Sequence, residues 1–393
     1  MTTAGARQAE RELLRRRLAA QWLAPAGGVE ADGANGAARV AASARRMLAT
    51  QAQDFGQGVW ALGVRTPGST REDVFAALDD ASVVRSWPMR GTLHLIEPDD
   101  LRGFLSITAA RTVAGAASRH RGLGIDQPTV ARARDLTIGL LRGGGRATRE
   151  QFTAALEAAG LEPSGQRGMH LIWLLAHEGL ICWGPMDDGR TQQTLVLLDE
   201  WAPATREWSP DDAHDELLLR YVHGHGPTTL KDFCWWSKLL VADATAALGR
   251  IRDRVEEVDL GLASTYLVEV GADAGSGLAQ PGRTPPAQLV LPGFDEYLLG
   301  YRSRQPALAQ EYSGRVVPGE NGMFLPMLVS RGAIVGTWRR RIAAKAVTVT
   351  PEPFSTPSAT ELRGFERAFG RYAEFLGLPL VIAPATTTAV ADD

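Results

Sequence analysis

The clearest pattern in the chain lies between residues 128 and 198. From Pro128 to Leu141 the apolar positions Val130, Leu136, Ile138 and Leu141 predict a helix, and Gly143, Gly144 and Gly145 stop it. Thr148 is placed to cap a short helix through Leu156, which Gly160 ends. A third helix begins at Ser164, carries Met169, Ile172, Trp173, Leu174 and Leu175, and stops near Gly179. Leu180 to Trp183 and Thr194 to Leu198 then read as the two strands of a hairpin around a Pro/Asp/Gly turn. Helix, helix, helix, hairpin is the order of a winged helix.

The pattern recurs about eighty residues later. Glu216 to Val222 is helical, Gly224 to Pro227 breaks the helix, Thr228 caps a helix through Trp236, and Lys238 to Ile251 supplies a third. Gly-Arg-Ala-Thr-Arg-Glu-Gln-Phe (145–152) matches Gly-Pro-Thr-Thr-Leu-Lys-Asp-Phe (226–233), and Val255 to Val270 can give the strands. A less regular unit precedes both. It has a helix from Glu10 to Trp22, an Ala/Gly-rich link over 25–38, a helix ending near Gln51, a helix capped by Thr70, and a hairpin of Val83–Met89 with Gly91–Ile96. From Gln288 the chain is strand-like, with a last helix from Ala359 to Leu376 and a disordered end of about ten residues. The expected fold class is therefore α+β: three tandem winged-helix (helix-turn-helix) domains followed by a C-terminal β-rich segment. The expected boundaries are 1–127, 128–209, 210–287 and 288–393.

A length of 393 residues with 45% apolar content supports several cores. No run of apolar residues approaches the ~18 of a membrane span, and the N-terminal segment lacks a signal-like core, so the chain is expected in the cytoplasm. Its two cysteines, Cys182 and Cys234, each stand beside tryptophan and read as buried apolar residues, which leaves no metal expected. The net charge of −3 hides a strong asymmetry. Arginine and lysine outnumber acids over 85–149 and again over 302–345, whereas acids crowd 187–216. One basic face and one acidic face would follow, with duplex DNA as the economical partner of several winged helices.

No phosphate-binding loop, GxGxxG fingerprint, GxSxG elbow or HExxH pair is present. His223 and His225 flank Gly224 without a third ligand nearby, and read as a polar turn. Gln51 and Gln53 close an Ala/Arg-rich helix and precede Asp54-Phe55-Gly56, where helical geometry should break. If the backbone there is extended, residues two apart point to one side. Taken alone, two amides at such a place are ordinary solvated side chains.

Longer motifs change that reading. Gln51-Ala52-Gln53, the run Ser86-Trp87-Pro88-Met89-Arg90-Gly91-Thr92-Leu93-His94-Leu95, the run Leu291 to Arg302 (LPGFDEYLLGYR) and Val335-Gly336-Thr337-Trp338-Arg339-Arg340 together resemble the AlkZ/YcaQ-like family of winged-helix DNA glycosylases. The resemblance covers nearly the whole chain. It implies that Gln51 and Gln53 are catalytic, in the Gln-apolar-Gln form of the family's motif. It also implies a cofactor-free, metal-independent hydrolase of the N-glycosidic bond of alkylated purines in double-stranded DNA. Bulky adducts and interstrand crosslinks would be substrates, in repair or in self-resistance to a genotoxin. A base alkylated on a ring nitrogen is already cationic and leaves without a general acid, so amides that orient water and offer carbonyl dipoles can suffice. No lysine lies near Gln51 in sequence, so the enzyme is expected to be monofunctional, and tandem modules allow it to act as a monomer. Arg90, Thr92 and His94 of the first hairpin, with Arg302, Arg304, Arg339 and Arg340, are the expected DNA contacts. Tyr301 and Trp338 read as packing residues. The competing reading is a non-catalytic winged-helix DNA-binding protein, a regulator or damage sensor, that leaves every glycosidic bond intact.

Overall fold

The computed structural model describes residues 3–23, 35–271, 287–320 and 322–385. The Ala/Gly-rich link and the chain's last residues, for which the sequence suggests a linker and disorder, fall mostly outside that range. The chain forms two compact units, one of residues 1–74 with 218–393, the other of 75–217. It is a mixed α+β protein, as expected.

In chain order the elements begin with α1 (Thr3–Ala20), α2 (Gly36–Met47), β1 (Thr50–Gln51), α3 (Phe55–Gly63), α4 (Arg71–Asp79), β2 (Val84–Met89) and β3 (Thr92–Ile96). The next are α5 (Pro98–Gly115), α6 (Ala117–Gly122), α7 (Gln127–Leu141), α8 (Arg149–Ala158), α9 (Arg167–His177), β4 (Ile181–Met186), β5 (Gln193–Leu197) and α10 (Leu198–Trp201). Then come α11 (Pro210–His225), α12 (Leu230–Ser237), α13 (Val241–Arg250), β6 (Val255–Asp259) and β7 (Thr265–Glu269). The C-terminal part contains β8 (Gln288–Leu291), β9 (Met327–Ser330), β10 (Ala333–Ala343), β11 (Ala346–Pro353), a helix over Ala359–Leu376 and β12 (Leu380–Ile382).

The 75–217 unit holds the antiparallel strand order β3-β2-β4-β5. Its core packs Phe152, Leu156, Leu171, Leu175 and Leu195 with Trp87 and Trp183. Ala147 bridges Leu195 just before Thr148, and Thr148 caps α8 in a reciprocal capping box with Gln151. In the other unit Thr228 bridges Leu267, and the next residue, Thr229, caps α12 with Asp232. The sequence repeat thus marks a short strand followed by a capping box. It placed the second cap one residue early, because the bridge and not the cap occupies Thr228.

In a winged helix the third helix commonly enters the major groove, but α9 has no exposed face to offer. Every residue of it is buried or half-buried, because α6 sets His120 against His170 and Trp173, and Trp173 lies on His177. Helix α13 is exposed along most of its length.

In the 1–74/218–393 unit, β8, β9, β10 and β11 run antiparallel and β12 joins β11 in parallel. Leu289, Leu291, Met327 and Val329 from this sheet pack with Leu14 and Leu18 of α1, Tyr297 and Leu308.

Candidate active site

Gln51 does not close α2. That helix ends at Met47, and Leu48 turns the chain with φ +67° and ψ −52°, the amide of Ala49 donating to the Met47 carbonyl at 2.7 Å. This is a tight three-residue turn in a sparsely populated conformation, held by the complete burial of Leu48. The backbone emerges extended at Thr50 and Gln51, and Asp54 caps α3 by accepting from the Gln57 amide at 3.1 Å.

Ala52 is buried against α3, where Gly58 makes room for it. A Cβ on Gly58 would stand 2.4 Å from the Ala52 Cβ and 2.9 Å from its Cα. Ala52 is thus turned inward between the two amides, Gln51 at the end of β1 and Gln53 in the bend that leads into Asp54. Gln51 is only 7% exposed, whereas Gln53 and Asp54 face solvent.

Beneath this segment lies an aromatic layer. Trp60 of α3 donates to the Val290 carbonyl, and Trp338 of β10 to that of Leu291, both at 2.9 Å. Tyr372, from the C-terminal helix, packs on both indoles with ring centroids 4.9 and 5.2 Å away. Burial pushes its phenol up to about 12, so it stays neutral. The side-chain oxygen of Gln57 accepts from the Gly293 amide at 3.0 Å. The Arg65 guanidinium and the Asp295 carboxylate form a fully buried two-point pair, each contact 2.8 Å.

Much of the LPGFDEYLLGYR run therefore holds structure. Glu296 accepts from the Trp236 indole at 2.7 Å, the Tyr297 hydroxyl donates to the Gly332 carbonyl, and the Tyr301 hydroxyl donates to the His225 carbonyl at 2.7 Å. Tyr301 and Trp338 are buried packing residues, as the sequence suggests.

The seven expected DNA contacts occupy unlike environments. On β10, Trp338 and Arg340 share a side, so Arg340 is carried to the Gln51–Asp54 segment, its Nη2 3.7 Å from Asp54 Oδ1. Arg339 points the other way, remains exposed and pairs with Glu352. Arg302 is exposed, while Arg304 is half-buried with its guanidinium 4.8 Å from the Phe324 ring. In the other unit, Arg90 and Gly91 both have positive φ (57° and 68°) and turn β2 into β3. Thr92 is half-buried and His94 fully buried. His94 Nδ1–H donates to the Thr92 carbonyl at 2.8 Å, which leaves Nε2 to accept from Arg90 Nη2 at 2.9 Å. Burial and the adjacent guanidinium hold this imidazole neutral, its pKa well below the usual value. Its place is thus behind Arg90 and not at the surface.

His223 and His225 lie on the last turn of α11, not in a break. His225 is buried and stacks on Tyr221, while His223 pairs with Glu269. Among the described residues no group of three or more His, Cys, Asp or Glu is placed to hold a metal ion. No described helix is long and apolar enough to cross a membrane. Sequence reasoning missed Leu48, Asp54, Gln57 and Gly58. Only the N-capping tendency of Asp54 carried a local signal.

The arrangement is paralleled in known proteins. Residues 44–375 match the family model described as DNA glycosylase AlkZ-like. A curated protein of Streptomyces sahachiroi, the interstrand DNA cross-link repair glycosylase, is 27% identical over 316 residues, covering 78% of this chain and 83% of that protein. The solved structure of the Streptomyces sahachiroi DNA glycosylase AlkZ superposes with a TM-score of 0.73 at 25% identity, over 95% of this chain and 99% of that one. The match to the family extends from the end of α2 to the C-terminal helix and takes in the Gln51–Gln53 segment and the layer beneath it. The chain is an enzyme, a member of the AlkZ-like DNA glycosylase family.

Proposed function

We propose that Gln51 and Gln53 are the catalytic pair, and that the enzyme hydrolyses the N-glycosidic bond of cationic N-alkylated purines in duplex DNA, including bulky adducts and interstrand crosslinks. The observation that carries this reading is the rigid presentation of the two amides. A strained turn, the Gly58–Ala52 contact and the Asp54 cap fix the backbone on both sides of them. The cross-link repair activity for which the Streptomyces relative is named supports the substrate class.

The chemistry suits amides. The C1′–N bond breaks with its electron pair passing to the base, which cancels the base's positive charge and lets it leave neutral. C1′ becomes cationic, and amide carbonyls stabilise it by their dipoles. Gln53, the exposed amide, holds the attacking water, and the buried Gln51 orients it or the sugar. The water oxygen bonds to C1′ and its proton passes to solvent. With no lysine nearby in sequence, the reaction stops at base release.

We read the protein as three winged helices, in the modules 1–127, 128–209 and 210–287, followed by the β-rich part 288–393. In support, helix, short strand, helix, helix and hairpin recur in chain order from α2 to β3, from α7 to β5 and from α11 to β7. In the later two copies the bridging residue immediately precedes the N-cap. In the first, Ala52 and Gln53 intervene between β1 and Asp54, so Gln51 ends the strand and Gln53 lies in a two-residue insertion before the cap. DNA contact is assigned to Arg90, to Arg302 and Arg304, and to the β10–β11 hairpin, where Arg339, Arg341, Ile342 and Lys345 are exposed. The enzyme acts as a monomer in the cytoplasm.

The test is base release from duplex DNA carrying N7-methylguanine, with wild type, Gln51→Ala and Gln53→Ala compared at equal DNA occupancy. A loss of about 10²-fold or more in either variant, the scale of a removed transition-state dipole, is expected. Release at the wild-type rate in both would reject the assignment.

A further inference from the structure

Resting on the reading of Gln51 and Gln53 as the catalytic pair, we propose that Asp54 is a third catalytic group. Its carboxylate stabilises the cationic sugar, and Arg340 covers that charge until a DNA phosphate takes the guanidinium.

Asp54 follows Gln53 directly, and its side chain is 53% exposed. Both contacts of the carboxylate fall on one oxygen: Oδ1 accepts from the Gln57 amide at 3.1 Å and lies 3.7 Å from Arg340 Nη2. Oδ2 carries no hydrogen bond among the described residues and is left to the solvent side. A carboxylate whose only use was to cap α3 would do no more than an asparagine or serine does.

The Arg340 contact is of a kind that can be exchanged. At 3.7 Å it is an ion pair and not a hydrogen bond, whereas the neighbouring Arg65–Asp295 pair is closed at two points of 2.8 Å each. The Arg340 side chain is only 15% exposed, yet its Nη1 is buried without a hydrogen bond. Gly56 leaves the space beside it open, since a Cβ there would come within 3.2 Å of Nη2. A phosphate can offer this guanidinium the short, paired hydrogen bonds that Asp54 does not. Once Arg340 has moved to the backbone of the DNA, the carboxylate stands uncovered beside Gln53.

The contribution of Asp54 is electrostatic. The C1′–N bond breaks, its electron pair goes to the base, and the positive charge appears on the sugar. The amides meet it with dipoles and Asp54 with a full negative charge, the charge that most glycosidases supply by carboxylates. Asp54 forms no bond, and the proton of the attacking water goes to solvent.

The test uses single-turnover base release at saturating enzyme on duplex DNA with one N7-methylguanine, together with the Kd for the same duplex. D54N and D54S keep the cap and remove the charge, so a fall of about tenfold or more in the saturating rate is expected with a Kd no weaker than wild type, since Arg340 no longer has to leave a carboxylate, and with partial recovery of the rate in D54E. Wild-type rates in both D54N and D54S would overturn the catalytic role. R340A is expected to weaken Kd and lower the slope of log Kd against log salt by about one, the signature of one lost phosphate contact. An unchanged slope would overturn the exchange. If Gln53→Ala is inactive while D54N is fully active, only this inference fails. If Gln53→Ala keeps its activity, the underlying assignment of the site fails instead.

Discussion

At the scale of single residues, the site depends on side chains that are not themselves reactive. Gly58 is the plainest case, because only the absence of a Cβ lets Ala52 sit against α3. Gly58→Ala should shift the Gln51–Gln53 segment by about an ångström. The expected result is a drop in base release of about 10²-fold, against a cost in stability of only about 1–3 kcal/mol, read by single-turnover kinetics beside denaturant melts. The Arg65–Asp295 pair, 1% and 0% exposed, predicts the reverse balance. Removing one partner, as in Asp295→Asn or Arg65→Met, leaves a buried charge uncompensated and should cost about 3–5 kcal/mol in urea unfolding. A double variant that removes both charges should regain much of that loss. Of these residues the sequence singled out Gln51, Ala52 and Gln53, and Asp295 within LPGFDEYLLGYR, through motifs. Gly58 and Arg65 are legible only when their partners, distant in the sequence or set by backbone approach, are known.

At the scale of elements, local chemistry was easier to read. Thr148, Thr70 and the C-terminal helix over Ala359–Leu376 stand where the capping and periodicity rules put them. Thr229→Ala should destabilise by about 1 kcal/mol, since it removes one arm of the capping box on α12; thermal melts would show a matching loss. Helix α9 stands where its apolar positions put it, but its sequence, apolar on several sides, does not say what lies over its remaining face. Its histidines give a pH prediction. Burial lowers the pKa of His177 to about 4, and shifts His120 and His170 the same way. The unfolded imidazole binds its proton from about pH 6.5 downward. Between about 6.5 and 4 the unfolded state therefore takes up more protons, so stability is full above that window and falls as the pH drops through it. For His177 alone the loss at pH 5 is about 2 kcal/mol. In His177→Leu the difference in urea stability between pH 7 and pH 5 should shrink by about that amount, and an unchanged difference would show that His177 does not titrate in this way.

At the scale of the whole molecule, charge and chain path matter more than any one contact. The basic stretches seen in the sequence are partly taken up by ion pairs within the chain: Arg102 pairs with Asp99 and Asp199, Arg134 with Glu178 and the exposed Arg339 with Glu352. Arg341 and Lys345 remain exposed on the β10–β11 hairpin beside Ile342. Arg341→Ala with Lys345→Ala should weaken duplex binding equally for damaged and undamaged DNA and reduce the salt slope by about two, as read by titration at several ionic strengths. The sequence by itself determined the helices and hairpins from α7 to β7, the Thr148 cap, the repeat of residues 145–152 at 226–233 and, through its motifs, the family, because these depend on neighbours along the chain; it gave no sign of α5 and α6. Only the tertiary structure decided that Gln51 leaves its helix for an extended strand, that β10 carries Arg340 to Asp54, and that His94 stands buried behind Arg90. Each of those facts depends on which distant surface fills the space beside a residue, and that is settled by packing rather than by local propensity.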